Sequence, residues 1–229
     1  TKMALIPLES NPEVMTKFIH KIGVPAKWKL SDVYGLDKPL LAMVPKPVLA
    51  LILLYPESEK AKAYGAELES KIKAEGKEPP KNIFHMKQCV TNACGTVALI
   101  HSILNNLEQI DLNDGALKNF YEEAKDLSFA ERGELLMKET NGIIEAHKQL
   151  AQEGQTQAPP EDEPVIHHFV AFVEKDGTLY ELDGCKSSPI NHGPTTKETV
   201  LDNAAKICKE YMARDPGEVR FTMMALVAN

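Results

Sequence analysis

The chain of 229 residues has few cysteines, no excess of basic residues and no long apolar run. Its four cysteines form no C-x-x-C pair and are too sparse to cross-link a chain of this length, which favours reduced thiols and a cytoplasmic location. With 26 Lys and Arg against 33 Asp and Glu, binding through phosphates is disfavoured, and we expect no nucleic-acid partner. The longest apolar run, at 48–55, is too short to span a membrane, and the first twenty residues lack a signal-peptide core, so we expect no membrane partner.

Apolar stripes and chain breakers alternate along the sequence without an internal repeat, which predicts a single domain over residues 1–229. Ser/Thr-x-x-Glu capping boxes at Ser10, Ser128 and Thr195 mark three helix starts. Helices are predicted at about 10–22, 57–75, 94–106, 115–125, 128–138, 140–150 and 195–212, and strands at 48–54, 82–88, 165–173, 178–182 and 219–227. These elements predict one sheet covered by helices on both sides, and the pattern alone does not separate the α/β class from the α+β class.

Cys94 lies in the first turn of a predicted helix, with Thr91 or Asn92 available as its N-cap. The positive end of the helix dipole favours a thiolate at this position. Neighbouring backbone N–H groups also point at any oxyanion that forms when the sulfur attacks a carbonyl. The alternative is a small buried apolar residue, and position alone does not decide between the two.

A hairpin further along the chain supplies the imidazole that a thiolate nucleophile needs. If its turn is the two-residue Asp176-Gly177, His168 pairs opposite position 185 and Asp183 is the diagonal neighbour on the same face. A three-residue turn would place His167 on that face instead. The alternative interpretation is that one or both histidines are structural residues of the core or of the sheet edge, with their hydrogen bonds satisfied. An aspartate on the same hairpin favours a His–Asp pair.

Several motifs resemble the ubiquitin carboxyl-terminal hydrolases, a family of cysteine deubiquitinases. They are Met86–Asn106 (MKQCVTNACGTVALIHSILNN), His168-Phe169, Leu179–Gly184 (LYELDG) and Pro189–Gly193 (PINHG). The resemblance extends from Pro7 to Phe221, which is nearly the whole chain. It implies an α+β fold of papain-like cysteine protease architecture, with a mostly antiparallel central sheet, helices on both sides and a knotted backbone.

The resemblance also implies a role for each matching residue. Cys94 is the nucleophile, His168 the general base and acid, and Asp183 the group that orients the imidazole. Gln88, six residues before the cysteine, matches the side chain that donates to the oxyanion. His167 is then a bystander on the opposite face of its strand.

The polar stretch 151–164 contains no large apolar side chain and must be a loop. In the family that the chain resembles, this segment crosses over the active site, so we expect a crossover loop at about 149–164. Such a loop would restrict substrates to small or unfolded adducts, and an inert linker is the alternative. Cys185 departs from the family pattern, in which a basic residue usually follows Leu-Asp-Gly.

The expected partner is ubiquitin, whose C-terminal tail ends Arg-Leu-Arg-Gly-Gly and calls for carboxylates at its binding site. Glu9, Glu13 and Asp32 match acidic positions near ubiquitin in relatives, although solvated surface charges are the alternative for each of them. We therefore expect a monomeric, thiol-dependent hydrolase that removes small adducts or short or unfolded peptides from the C-terminal glycine of ubiquitin through an acyl-enzyme, without cofactor or metal.

Three other functions are less consistent with the sequence. A ubiquitin-binding module with weak turnover would not need a complete triad. A general papain-like endopeptidase would carry a Cys-Gly-x-Cys-Trp signature, which is absent. Zinc bound by His85, Cys89, Cys94 and His101 would have a spacing that matches no structural zinc pattern.

Overall fold

The computed structural model of the protein describes residues 5–90, 92–138, 142–153 and 167–229. The helices in this part of the chain are α1 (Pro12–Ile22), α2 (Lys38–Ala42), α3 (Glu59–Glu75), α4 (Cys94–Leu104), α5 (Ala116–Ala124), α6 (Phe129–Leu136), α7 (Ile143–Ala151) and α8 (Val200–Arg214). The strands are β1 (Trp28–Asp32), β2 (Val48–Pro56), β3 (His167–Lys175), β4 (Thr178–Leu182), β5 (Ile190–Pro194) and β6 (Thr222–Ala228).

The six strands form one antiparallel sheet in the order β1-β6-β2-β3-β4-β5. The central strand β2 is buried on both faces, as its unbroken apolar sequence predicts. Ala50 and Ile52 belong to an apolar core shared with α1 and α4, whereas Leu51 and Leu53 belong to a second core shared with α8. Helices therefore cover both faces of the sheet, which confirms the predicted layers and decides in favour of the α+β class.

Helix α4 is buried along its whole length and packs against β3 and β2. Hydrogen bonds within the protein offset the cost of burying its polar side chains. The Ser102 hydroxyl donates to the Ala98 carbonyl at 2.8 Å, and Thr96 Oγ1 lies 2.6 Å from His147 Nδ1. Because Cys94 is the first residue of this helix, the packing of the core fixes the position of its sulfur.

The prediction of a strand at 82–88 is wrong, because the backbone of this segment forms hydrogen bonds with side chains and loops and not with a neighbouring strand. The Asn105 amide pairs with both the N–H and the carbonyl of Phe84, and the Met86 N–H donates to His101 Nε2 at 3.0 Å. The Gln88 N–H donates to the Gly184 carbonyl at 3.0 Å. These bonds satisfy an extended backbone without a ladder, and they hold it against α4 and the loop after β4.

One of the three predicted capping boxes is confirmed. Ser128 and Glu131 bond reciprocally at the start of α6. Helix α1 is capped by Asn11, whose side chain accepts from the Glu13 and Val14 N–H groups, and not by Ser10. The box predicted at Thr195 is also wrong, since α8 starts at Val200.

Three short elements, β1, α2 and β5, are absent from the sequence predictions. Strand β1 offers only two buried apolar positions, and β5 lies at the sheet edge with every residue at least partly exposed. Most of the crossover loop expected at 149–164 lies outside the described residues, which reach position 153, and the knot stays a prediction. In the described ranges, no helix combines the length and the apolar character that crossing a membrane requires.

Candidate active site

The Cys94 thiol lies at the N-terminus of α4 and is 7% exposed. Asn92, one of the two N-cap residues that the sequence offers, does not cap α4, because its backbone is in the left-handed region at φ 69° and its amide donates to the Leu5 carbonyl at 2.8 Å. Thr91 lies outside the described residues. The N-cap is Ala93, and no side chain from the described part of the chain caps α4. Its first N–H groups are therefore available to an anion beside Cys94.

The β3–β4 hairpin places His168 against Asp183. Lys175 pairs with Thr178 across the turn, and Asp176 and Gly177 both have positive φ, so the predicted two-residue turn is confirmed. His168 Nε2 lies 2.7 Å from Asp183 Oδ1, and both side chains are buried. This contact occupies Nε2 and leaves Nδ1 as the ring nitrogen available for a thiol.

A cavity of about 290 Å³ brings the predicted residues together. It is lined by Glu57, Gln88, Cys89, Val90, Asn92, Cys94, His167, His168 and Cys185. Three of the four predicted catalytic residues line this cavity, and the fourth, Asp183, contacts the imidazole of His168. His167, expected to be a bystander, is partly exposed and also lines the cavity.

The His168–Asp183 pair favours a charged imidazolium. Burial alone would lower the pKa of His168, but the charge and hydrogen bond of Asp183 and an interaction with Cys94 raise it well above its usual range. Burial would likewise raise the pKa of Asp183, but it is held well below its usual range by His168, by Lys186 Nζ at 3.4 Å and by the Cys185 N–H at 2.8 Å. An imidazolium next to Cys94 is the proton donor that a leaving group needs.

Gln88 approaches the site through a tight contact with Gly184. A Cβ on Gly184 would lie 2.9 Å from the Gln88 Cβ, so only glycine permits this approach. The Gln88 amide nitrogen donates to the Val90 carbonyl at 3.1 Å. Because a primary amide carries two N–H donors, one remains for an oxyanion.

Two residues that sequence reasoning missed support the His–Asp pair. His85 Nε2 lies 2.8 Å from the Asp183 carbonyl oxygen, and the Tyr55 ring meets the His168 ring edge-on at 5.8 Å. His85 has no local sequence signal for its contact, because it is 98 positions from Asp183. Tyr55 stands opposite His168 in the β2–β3 register, so its contact could have been found only from the pairing of these two strands.

The predicted ubiquitin-contacting acids lie outside the cavity. Glu13 is exposed and 3.6 Å from Lys17, and Asp32 ends β1. Glu9 is partly buried, with one carboxylate oxygen that has no partner among the described residues.

The zinc set considered from sequence is not assembled in the described part of the chain. His85 bonds to the Asp183 carbonyl, and His101 accepts from the Met86 N–H. One ring nitrogen of each histidine, Nε2, is thus engaged with the backbone.

The antiparallel sheet, the buried helix that begins at a cysteine, and the facing His–Asp pair define the class of papain-like cysteine hydrolases. A sequence model described as ubiquitin carboxyl-terminal hydrolase, family 1, matches residues 5–213. The chain belongs to this family, as its motifs indicate.

Relatives match over nearly the whole chain. A ubiquitin carboxyl-terminal hydrolase of Drosophila melanogaster is 54% identical over 222 residues, which cover 97% of this chain and 96% of the relative. The isozyme L1 of Rattus norvegicus is 40% identical over 225 residues, which cover 98% of each protein. Among solved structures, the Trichinella spiralis UCH37 catalytic domain bound to ubiquitin vinyl methyl ester superposes with a TM-score of 0.76 at 26% identity, covering all of this chain and 97% of that one. The protein is thus an enzyme of a cysteine peptidase family, and its papain-like fold is confirmed.

Proposed function

We propose that the protein hydrolyses the bond that follows the C-terminal glycine of ubiquitin, with Cys94 as nucleophile, His168 as acid and base, and Asp183 as the orienting carboxylate. The observation that carries the proposal is the 2.7 Å contact between His168 and Asp183 at the wall of the cavity that also exposes Cys94. The family membership and the ubiquitin-bound Trichinella relative support ubiquitin as the partner.

The reaction proceeds through a thioester. The Cys94 sulfur attacks the glycine carbonyl carbon, and the carbonyl oxygen becomes an oxyanion that accepts from the free N–H of Gln88 and the first backbone N–H groups of α4. His168 donates its proton to the leaving amine or thiol as the bond breaks. The neutral imidazole then takes a proton from water, whose oxygen attacks the thioester and releases the glycine carboxylate and the Cys94 thiolate.

The substrates we propose are small adducts and short or unfolded peptides on ubiquitin. The proposal takes residues 1–229 as one catalytic domain, with a crossover segment at about 149–164 that restricts the size of the leaving group. Glu9, Glu13 and Asp32 are proposed contacts for the arginines of the ubiquitin tail. The enzyme is expected to work as a monomer in the cytoplasm, without a cofactor.

The test measures release of a fluorophore from the ubiquitin C-terminus together with binding of free ubiquitin. Wild type should release the fluorophore, and Cys94→Ala should abolish release while it retains binding. Cys89→Ser is the matched control, because this thiol lines the same cavity and has no proposed role. A wild type that binds ubiquitin but releases nothing would refute the hydrolase proposal in favour of a binding module.

A further inference from the structure

Cys185 is an exposed thiol beside the catalytic residues that the proposed hydrolysis does not use. Its backbone N–H donates to Asp183 Oδ1 at 2.8 Å, and its sulfur lies 3.9 Å from Gln88 Oε1. It lines the cavity that contains Cys94 and also a second one of about 270 Å³, which His168 and Asp183 line as well. The sulfur can therefore be reached from solvent.

His168, Asp183 and Cys185 each offer one ligand atom, and these atoms all lie within 4.8 Å of one another. A thiolate, an imidazole nitrogen and a carboxylate oxygen are a ligand set that suits Zn²⁺ and related thiophilic cations, and not Mg²⁺ or Ca²⁺. We propose that these three residues form an inhibitory site for a thiophilic divalent cation such as Zn²⁺. The inhibitory part rests on the proposed function, whereas the site itself does not.

Small movements adapt the three ligands to a metal. Bond lengths of about 2.0–2.3 Å in a tetrahedral site place ligand atoms about 3.3–3.6 Å apart. His168 Nε2 and Asp183 Oδ1, now 2.7 Å apart, must separate by several tenths of an ångström, and the Cys185 sulfur must move inward. Since Cys185 is exposed, its side chain has room to make this movement.

The protons and charges of the site also balance. The cation takes the place of the proton held between His168 and Asp183, and that proton and the Cys185 thiol proton leave to solvent. Two ligand negative charges then offset the divalent cation, while Lys186 keeps its contact with the second oxygen of Asp183, at 3.4 Å. A water molecule can fill the fourth position. Because the imidazole is then bound to metal, it can no longer shuttle protons for Cys94.

The site is tested first without substrate, by titrating Cd²⁺ and following the ultraviolet charge-transfer absorption of cadmium–thiolate bonds. The starting protein is Cys94→Ala/Cys89→Ser, which keeps Cys185 and the fully buried Cys208. We expect saturation at one Cd²⁺ per chain. Adding Cys185→Ser should remove the thiolate band and weaken binding at least about tenfold.

A third protein, which adds His168→Gln to the starting variant, separates the three-ligand site from binding by a single thiol. It keeps the Cys185 sulfur but should also bind Cd²⁺ at least about tenfold more weakly. Equal affinity with and without His168, or a thiolate band that survives Cys185→Ser, would overturn the assignment. Absence of any band in the starting protein would overturn it as well.

The inhibitory part is measured as the Zn²⁺ concentration that halves fluorophore release, with each protein normalised to its own metal-free rate. Cys185→Ser should need at least about tenfold more Zn²⁺ than wild type, whereas Cys89→Ser should match wild type. Equal sensitivity of wild type and Cys185→Ser would overturn the inhibitory role. If the wild type releases no fluorophore at all, the proposed function fails, and the cadmium titration still decides the metal site.

Discussion

His85 links the buried core to the backbone of Asp183 and should make stability depend on pH. Its Nε2 lies 2.8 Å from the Asp183 carbonyl oxygen, and its ring stacks on Phe129 with centroids 4.6 Å apart. Burial lowers the pKa of His85 from 6.5 to about 4. The folded protein thus keeps this ring neutral over a range in which the unfolded chain protonates it.

The sign and size of the effect follow from this difference in pKa. Between pH 6.5 and 4 the unfolded chain binds one more proton at this position than the folded protein, so the free energy of unfolding falls as the pH is lowered. Each pKa unit corresponds to about 1.4 kcal/mol, and the shift therefore destabilises the fold by about 3 kcal/mol at pH 4 relative to pH 7.

The assay compares wild type with His85→Gln, which removes the titrating ring and keeps an N–H donor for the Asp183 carbonyl. Urea unfolding at a series of pH values should show that the variant loses about 3 kcal/mol less than wild type between pH 7 and pH 4. His20→Gln controls for the loss of a histidine as such, because His20 is only partly buried and also contacts a backbone carbonyl, that of Trp28. Parallel curves for wild type and His85→Gln would show that His85 does not cause the pH dependence of stability.

Three further substitutions test the surroundings of the site. Gly184→Ala places a methyl group 2.9 Å from the Gln88 Cβ, so urea unfolding should show a loss of about 1–3 kcal/mol together with slower fluorophore release; an unchanged rate would contradict the close contact. Asn105→Ala leaves the buried N–H and carbonyl of Phe84 without their amide partner and should cost about 2–4 kcal/mol by the same measurement, whereas a loss below 1 kcal/mol would contradict it. Asp183→Asn should lower kcat by about 10⁴-fold with ubiquitin binding retained, and a loss of less than tenfold would argue against the orienting role.

Features with a local physical cause could be predicted from the sequence. The turn at Asp176-Gly177 needs two residues that tolerate positive φ, and this fixes which histidine faces Asp183. The apolar run of β2 and the apolar residues after Cys94 likewise identify a central strand and a buried helix. The predicted catalytic residues consequently come together in the structure.

Features that depend on distant partners could not be predicted. Residues 82–88 resemble a strand in composition, but the Asn105 side chain and His101, on or next to α4, provide their hydrogen bonds. Asn92 is of a residue type that favours N-caps, but its amide donates a hydrogen bond to the Leu5 carbonyl. In each case a polar side chain forms a hydrogen bond with a backbone group that is remote in sequence. Propensity rules that consider only neighbouring residues do not include such bonds.

The complete burial of α4 also determines how the molecule opens. Amide hydrogens of a helix enclosed on every side exchange with solvent only when a large part of the fold opens, whereas α3, which has no fully buried residue, can fray by itself. Cys94, the proposed nucleophile, is thus attached to one of the most persistent parts of the protein. Fluctuations that admit a substrate must therefore come from the segments around the cysteine, while the sulfur itself stays in place as they move.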